Sequence, residues 1–222
     1  MSVLAIGSQV HLVFRTQLLT FTPDQFRKAL ESRKYYQVQS QIANPANPQA
    51  PISVQNFSKQ NITVLLPPVI PPNLPTIVFQ IFNTINLKPQ YEGEVEAMMT
   101  DLNIYPDVVS DAVFRCTTRR PKAKTRPLDR LTSIVDQAFV EKVSANFPIK
   151  LRVASIKFTS SFPFEREGGC QVTIEPLATN PENEYYLEIA YKTTKMNEFK
   201  KFISDFGSDM ILRIIEESEE NV

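Results

Sequence analysis

The sequence predicts an α+β fold of two similar βαβββα-like halves, each with antiparallel strands packed against helices. Short segments in which apolar residues recur at every second position predict half-buried strands, and longer segments with apolar residues three and four apart predict helices. Both halves show these segments in the order strand, helix, three strands, helix, which is typical of an internal duplication. We expect the halves to be residues 1–105 and 106–222, each the size of a small domain.

The N-terminal half begins with a strand over residues 9–17, in which apolar and polar residues alternate. Thr22 then begins a helix, because its hydroxyl can cap the first turn, a proline follows at the first helical position and a glutamine stands three residues after the cap. The elements predicted after this helix are strands at 35–42, 52–66 (with a break near Lys59) and 76–83, and a short helix at 92–103.

Residues 67–75 hold five prolines and predict a stiff, extended connection between two strands. One interpretation is a ligand for a proline-recognising domain. The other is a rigid loop that packs its own Val69, Ile70 and Leu74. We favour the second interpretation, because these aliphatic residues suit burial and strands flank the loop.

The C-terminal half begins with a strand over 111–118, and residues 111–115 repeat three of the five residues at 11–15, namely Val, Phe and Arg. The elements predicted after it are one long helix at 127–146, strands at 151–164, 170–177 and 185–193, a hairpin turn at 165–169 and a final helix at 196–220. On that final helix we expect a face buried against the C-terminal sheet, formed by Phe199, Phe202, Phe206, Met210 and Ile214.

Composition argues against several classes of protein. The chain has 24 basic and 24 acidic residues, so no net charge draws it to nucleic acid or to an anionic membrane. Glycine is scarce, which disfavours phosphate-cradling loops. The two cysteines, Cys116 and Cys170, form neither a disulfide framework nor a metal site. With no signal peptide and no long apolar run, we expect a cytoplasmic protein without a membrane segment or cofactor.

Catalytic and metal-binding patterns are not found in the sequence. His11 is the sole histidine, whereas nucleophilic catalysis and metal sites usually need a histidine in a defined cluster. The acidic cluster of Glu92, Glu94, Glu96 and Asp101 is explained by the helix dipole, which favours carboxylates in a first turn. The acidic residues 216–220 are typical of a solvated tail. We therefore expect no enzyme, although a site assembled from distant residues leaves no pattern in one sequence.

A basic segment at residues 115–130 is the sharpest local feature, since Asp129 is its one carboxylate. Cations on a loop at a helix N-terminus suit phosphate or nucleic acid. The alternative is a solvated loop whose charges pair with carboxylates elsewhere. The candidate binding residues are Arg115, Arg119, Arg120, Lys122, Lys124, Arg126 and Arg130.

The function that the sequence favours is a non-catalytic binding or assembly protein, with a protein partner or self-association. The alternative is a nucleic-acid-binding protein that uses the basic segment 115–130. The two are separated by the surroundings of the basic side chains. Basic side chains that converge on one face without carboxylate partners would favour nucleic-acid binding. Basic side chains that each pair with a carboxylate would argue against it.

Overall fold

The computed structural model describes residues 4–14, 21–42, 52–66, 76–82, 87–121, 125–147, 152–206 and 210. It confirms the α+β class, because these residues form helices and a nine-stranded sheet. The strands are β1 Leu4–Phe14, β2 Tyr36–Ile42, β3 Ile52–Lys59, β4 Ile62–Leu66, β5 Thr76–Ile81, β6 Val109–Pro121, β7 Ile156–Thr159, β8 Gly169–Pro176 and β9 Glu184–Thr193. The helices are α1 Pro23–Ser32, α2 Lys88–Gln90, α3 Ala97–Asp101, α4 Pro127–Ile134, α5 Gln137–Ser144, α6 Phe164–Glu167 and α7 Met196–Asp205. A π-helical segment, Tyr91–Glu96, joins α2 to α3, and a 3-10 turn, Pro106–Val108, precedes β6.

The strands are hydrogen-bonded in the order β2-β3-β4-β5-β1-β6-β9-β8-β7. The pairs β1–β5, β2–β3, β3–β4, β4–β5 and β7–β8 are antiparallel.

The chain divides into two compact units. The N unit contains Gly7–Phe114 and Lys192–Phe206, and the C unit contains Met1–Ile6, Arg115–Tyr191 and Gly207–Val222. Helix α7 therefore belongs to the N unit, although it follows the C unit in sequence.

Helix α1 begins where the sequence predicts it. The backbone N–H of Gln25 donates to Thr22 Oγ1 at 3.2 Å, and the backbone N–H of Thr22 donates to Gln25 Oε1 at 2.7 Å. This reciprocal pair is a capping box, which satisfies two backbone donors at the helix start. Phe26 and Leu30 bury the apolar face of α1, and the Phe26 ring lies 5.9 Å from the ring of Phe57 on β3.

Helix α7 buries Phe199 and Phe206 of the predicted face, together with Ile203. The Phe199 ring lies 5.9 Å from Tyr91 in the π-helical segment, and the Phe206 ring lies 4.7 Å from Phe114 on β6. The helix thus packs on the α2–α3 region as well as on a strand, and not on C-terminal strands alone.

The helix predicted at 196–220 is interrupted. Helix α7 ends at Asp205, because Phe206 has extended backbone angles of φ −74° and ψ 125°. Met210 is helical again, and residues 207–209 and 211–222 lie outside the described part of the chain. Phe202 is half-buried, not buried, and so is Met210. Ile214 lies outside the described residues.

The single helix predicted at 127–146 is wrong, because the structure has two helices there. Val135 is extended between α4 and α5, with φ −88° and ψ 148°. Asp136 then caps α5, since its side chain accepts a hydrogen bond from the backbone N–H of Ala138 at 2.9 Å. The predicted apolar stripe is divided accordingly: Leu131 and Val140 are buried, whereas Phe139 is 60% exposed.

The long strand predicted at 151–164 is also wrong. Only Ile156–Thr159 pairs with β8, and the predicted hairpin turn at 165–169 is mostly the short helix α6. The apolar residues that suggested a strand have other roles, since Phe164 is buried at the start of α6. Gly168 ends this helix at φ +77°, a conformation that glycine adopts without steric cost.

Other predicted elements agree with the structure within a few residues. The predicted break near Lys59 is a turn at Gln60 and Asn61, between β3 and β4. The helix predicted at 92–103 begins earlier, at Lys88, and ends at Asp101. The proline-rich residues 67–75 lie outside the described part of the chain, so both interpretations of them remain open.

Candidate functional site

Carboxylates neutralise part of the basic segment, namely two of the four arginines whose side chains the structure describes. Arg115 on β6 pairs with Glu165 at 2.9 Å and with Glu188 on β9 at 3.2 Å. Arg126, which precedes α4, pairs with Glu182 at 3.2 Å. Two of the predicted phosphate-binding residues are therefore already bound within the C unit.

Arg119 differs from these two residues. It is exposed near the end of β6, and no ion pair to it is found within the described ranges. Lys122 and Lys124 lie outside the described residues, and so does the side chain of Arg120. The described residues therefore bring no group of free cations together at this segment.

Arg130 is the unusual member of the basic segment, because it is 4% exposed. Its Nε donor is buried without a hydrogen-bond partner, and no described carboxylate pairs with it. Asp129, the adjacent carboxylate, binds Arg152 at 3.0 Å instead. A buried donor without a hydrogen-bond partner is costly, which makes this Nε atom an exception among the described arginines.

Two further features accompany Arg130 in the C unit. Thr118 is 1% exposed, and its Oγ1 also lacks a partner among the described residues. The N-terminus of α4 has no side-chain cap.

In the N unit, Glu94 forms the centre of a charged network. Its carboxylate is 16% exposed and accepts hydrogen bonds from Lys59 Nζ at 2.5 Å and from the Tyr35 hydroxyl at 3.0 Å. Arg33 lies 4.0 Å away and itself donates to Asp101 at 2.6 Å. The network joins the end of α1, the end of β3 and the π-helical segment. π-Helical segments are often found at functional sites.

The Tyr35 hydroxyl in this network keeps its proton. Burial, and then the negative charge of Glu94, raise the pKa of Tyr35 well above its usual range, so the phenol remains a donor. Burial and Glu96 raise the pKa of Tyr91 in the same direction. Because Glu94 is already bound by cations, the network is arranged to join elements and does not present a free acid–base pair.

The acidic cluster is thus more than a dipole-favoured helix turn. Glu94 and Asp101 bind cations from α1 and β3, and Glu96 binds Lys200 on α7 at 2.9 Å. These partners lie as much as 104 residues apart. No local sequence pattern marks pairs at such separations.

A surface groove of about 400 Å³ lies beside α1 in the N unit. Apolar and polar side chains line it in similar measure, and Asp101, its carboxylate, is held by Arg33. The groove suits a small polar group and offers no catalytic arrangement. Its lining residues are Phe21, Gln25, Lys28, Ala29, Ser32, Asp101, Leu102 and Asn103.

Strand β2 forms an open edge of the sheet. It pairs with β3 along its full length, from Tyr36 opposite Ser58 to Ile42 opposite Ile52, and no described strand pairs with its other side. Tyr36 is 63% exposed and Val38 is 37% exposed. Natural edge strands are usually protected by charges, prolines or bulges. Residues 35–58 hold no charged residue and β2 holds no proline, so this edge lacks those protections.

The opposite edge, β7, is different in kind. It has four residues, and the charged Lys157 is exposed on it. Exposed aromatic side chains do occur in this part of the C unit, including Phe158 at 55% and Phe162 at 87%. A short, charged edge is a poor template for another strand.

The remaining candidates give no catalytic or metal centre in the described ranges. His11 is half-buried and shares a hydrogen bond with the Gln9 side chain at 2.9 Å. No cluster of potential metal ligands is found among the described residues. Neither Cys116 nor Cys170 forms a disulfide, and burial raises the pKa of Cys170. No helix in the described ranges has the length and apolar character needed to cross a membrane.

No protein-family model matches the chain, and a search of curated proteins finds no match.

Proposed function

We propose that the chain is a non-catalytic binding or assembly protein, and that the outer edge of β2 is its binding surface. The observation that carries this proposal is an open, uncharged edge strand with exposed Tyr36 and Val38. The backbone N–H and C=O groups on such an edge can pair with an added strand. The apolar side chains then give the added strand a surface to cover.

The proposal is tested by photo-crosslinking in the native host. The photoreactive residue p-benzoylphenylalanine replaces Tyr36, and the matched control carries it at Tyr105, which is 66% exposed elsewhere in the N unit. We expect a discrete protein adduct from position 36 and none from position 105. An absence of adducts at position 36 contradicts the proposal, whatever the identity of the partner.

A second candidate function is binding of phosphate or nucleic acid through the segment 115–130. It is favoured by the buried, unpartnered Nε of Arg130 and by the exposure of Arg119. It is weakened by the carboxylates that already bind Arg115 and Arg126. Contacts of this kind would be made to phosphates and would position nucleic acid without reading its sequence.

We also propose that residues 1–105 and 106–222 descend from one duplicated unit. In support, β1 lies beside β5 at the end of the row β5-β4-β3-β2, and β6 lies beside β9 at the end of the row β9-β8-β7, so the two sets match apart from the additional strand β2. An experimental structure tests this proposal by superposition of β1, α1 and β3–β5 on β6, α4 and β7–β9. Different strand directions in the two sets contradict it.

We also propose that the protein is located in the cytoplasm. Neither of the two cysteines forms a disulfide, as is usual for proteins of a reducing compartment. Cell fractionation with an antibody to the chain tests this, and recovery outside the cytoplasmic fraction contradicts it.

A further inference from the structure

We infer that the partner of the β2 edge is a second copy of this chain, joined by antiparallel pairing of β2 with β2 about a two-fold axis at Gln39. This inference rests on the proposed function, because it names the partner of the same surface. The two sheets would then continue into each other across the axis.

The sequence of β2 suits pairing with its own copy. Antiparallel pairing about Gln39 sets Gln37 opposite Gln41, Val38 opposite Ser40, and Tyr36 opposite Ile42. Apart from the pair of Val38 and Ser40, the strand therefore reads alike in both directions, with an apolar residue at each end and glutamine at every second position. A two-fold interface needs such self-complementarity, because the same surface supplies both sides.

The lack of charge in β2 also favours this pairing. Charged residues close to a two-fold axis lie near their own copies, and like charges close together across a strand pair destabilise it. Residues 35–58 hold no charged residue, so neither β2 nor the chain that follows it opposes the contact in this way. The flanking cation Lys59 is held by Glu94 at 2.5 Å.

Strand β2 is regular over its whole length. All seven of its residues pair in register with β3, so the strand is held in extended form before any partner arrives. Gln37 is exposed along with Tyr36 and Val38. A preformed strand loses less conformational freedom on pairing than a disordered segment does.

The test of proximity uses cysteine. In the Gln39→Cys variant the two cysteines face each other, at a Cα separation that a disulfide can span, about 4.5–5.5 Å. The matched control is Gln55→Cys, since Gln55 pairs with Gln39 one strand further from the axis. The control cysteines would then be three strand spacings apart, about 14 Å, and cannot be bridged. Under mild oxidation we expect a linked dimer from Gln39→Cys and none above wild type from Gln55→Cys.

The test of register uses charge. The double variant Gln37→Lys, Gln41→Lys sets like charges opposite each other twice, and we expect its dimer dissociation constant to rise at least tenfold. The double variant Gln37→Lys, Gln41→Glu sets opposite charges there, and we expect affinity near or above wild type. Sedimentation velocity over a range of concentrations measures both, and circular dichroism checks that each variant folds.

The outcomes separate this inference from the proposed function. A wild-type chain that stays monomeric at every concentration, with no linkage of Gln39→Cys, overturns the inference. A dimer that tolerates both charge variants equally also overturns it, because another surface then forms the dimer. If Tyr36 crosslinks to a different protein while the chain is monomeric, the proposed function stands and the inference fails.

Discussion

The carboxylate of Glu94 lies 2.5 Å from the ammonium group of Lys59, and this contact joins the π-helical segment to the end of β3. The same carboxylate accepts a hydrogen bond from the hydroxyl of Tyr35. The ammonium nitrogen of Lys59 lies 5.3 Å from the centroid of the Tyr35 ring. The contact lies one residue beyond the β3 residue that pairs with Tyr36, the first residue of β2. The network therefore supports the end of the edge strand to which we assign binding.

The first prediction concerns this carboxylate. Replacing Glu94 with Gln leaves Lys59 without its counter-charge in a partly buried site, and we expect a loss of about 1–3 kcal/mol in the free energy of unfolding. Urea unfolding followed by circular dichroism measures it. The control is Glu182→Gln, which removes an ion pair whose side chains are 60% and 61% exposed and should change stability by less than about 0.5 kcal/mol. Equal losses in the two variants would show that the network does not stabilise the fold.

The second prediction concerns alkaline pH. Burial raises the folded-state pKa of Tyr35 above its ordinary value of 10.0, and Glu94 adds to the rise. Because the folded-state pKa exceeds the unfolded one, this stabilisation is complete below about pH 10 and is lost as the pH rises above it. The variant Tyr35→Phe has no proton to lose there. We expect its urea midpoint to fall less than that of wild type between about pH 9 and about pH 11. Parallel decreases would contradict the assignment.

The third prediction concerns α7. Phe199 is fully buried and contacts Tyr91, so Phe199→Ala should cost about 3–5 kcal/mol through lost transfer energy and a cavity. Phe202 is only half-buried, so Phe202→Ala should cost less. Phe162→Ala, at a side chain that is 87% exposed, serves as the control. A negligible loss for Phe199→Ala would mean that α7 does not belong to the core of the N unit.

Local features of the fold could be predicted from the sequence, because their causes lie within a few residues. Thr22 and Gln25 form a cap three residues apart, and the break after Lys59 needs only a turn. The division of the helix at Asp136 was also open to prediction, since aspartate favours N-cap positions. The cap was missed because the helical spacing of apolar residues continues past Asp136.

The candidate site could be predicted only in part, because its pairings are long-range. Arg115 binds carboxylates 50 and 73 residues away, and no sequence pattern marks them. The burial of Arg130 did have a signal, since it lies three residues after Pro127 and beside Leu131, on the buried face of α4. The open edge of β2 depends on the strand order, which local alternation does not determine. Its lack of charge is visible in the sequence alone.

The fourth prediction tests the basic segment. If it binds nucleic acid, affinity should fall with salt at a log–log slope of about −0.7 to −0.9 for each neutralised phosphate. Replacing Arg119, Arg120, Lys122 and Lys124 with Ala should weaken binding to all sequences alike and flatten the slope. Fluorescence anisotropy with labelled DNA and RNA measures both effects. No salt-sensitive binding of the wild type at micromolar concentration would remove this candidate function.

Arg130 offers a separate readout for the same candidate. If an anion occupies the space beside it, inorganic phosphate should raise the thermal midpoint of the wild type, because a ligand that binds the folded state stabilises it. The variant Arg130→Met should show no such rise. A phosphate effect of equal size in both would assign the effect to another part of the surface.

The most direct test of the central claim, that the β2 edge is a binding surface, is amide hydrogen exchange of residues 36–42. The wild-type chain is compared at low and at high micromolar concentration, with β3 residues as the internal reference. We expect β2 amides on the outer edge to exchange more slowly at the high concentration, while the β3 amides do not change. If β2 exchange is the same at both concentrations, and adding the native cell extract does not slow it, then nothing binds this edge and the account is wrong.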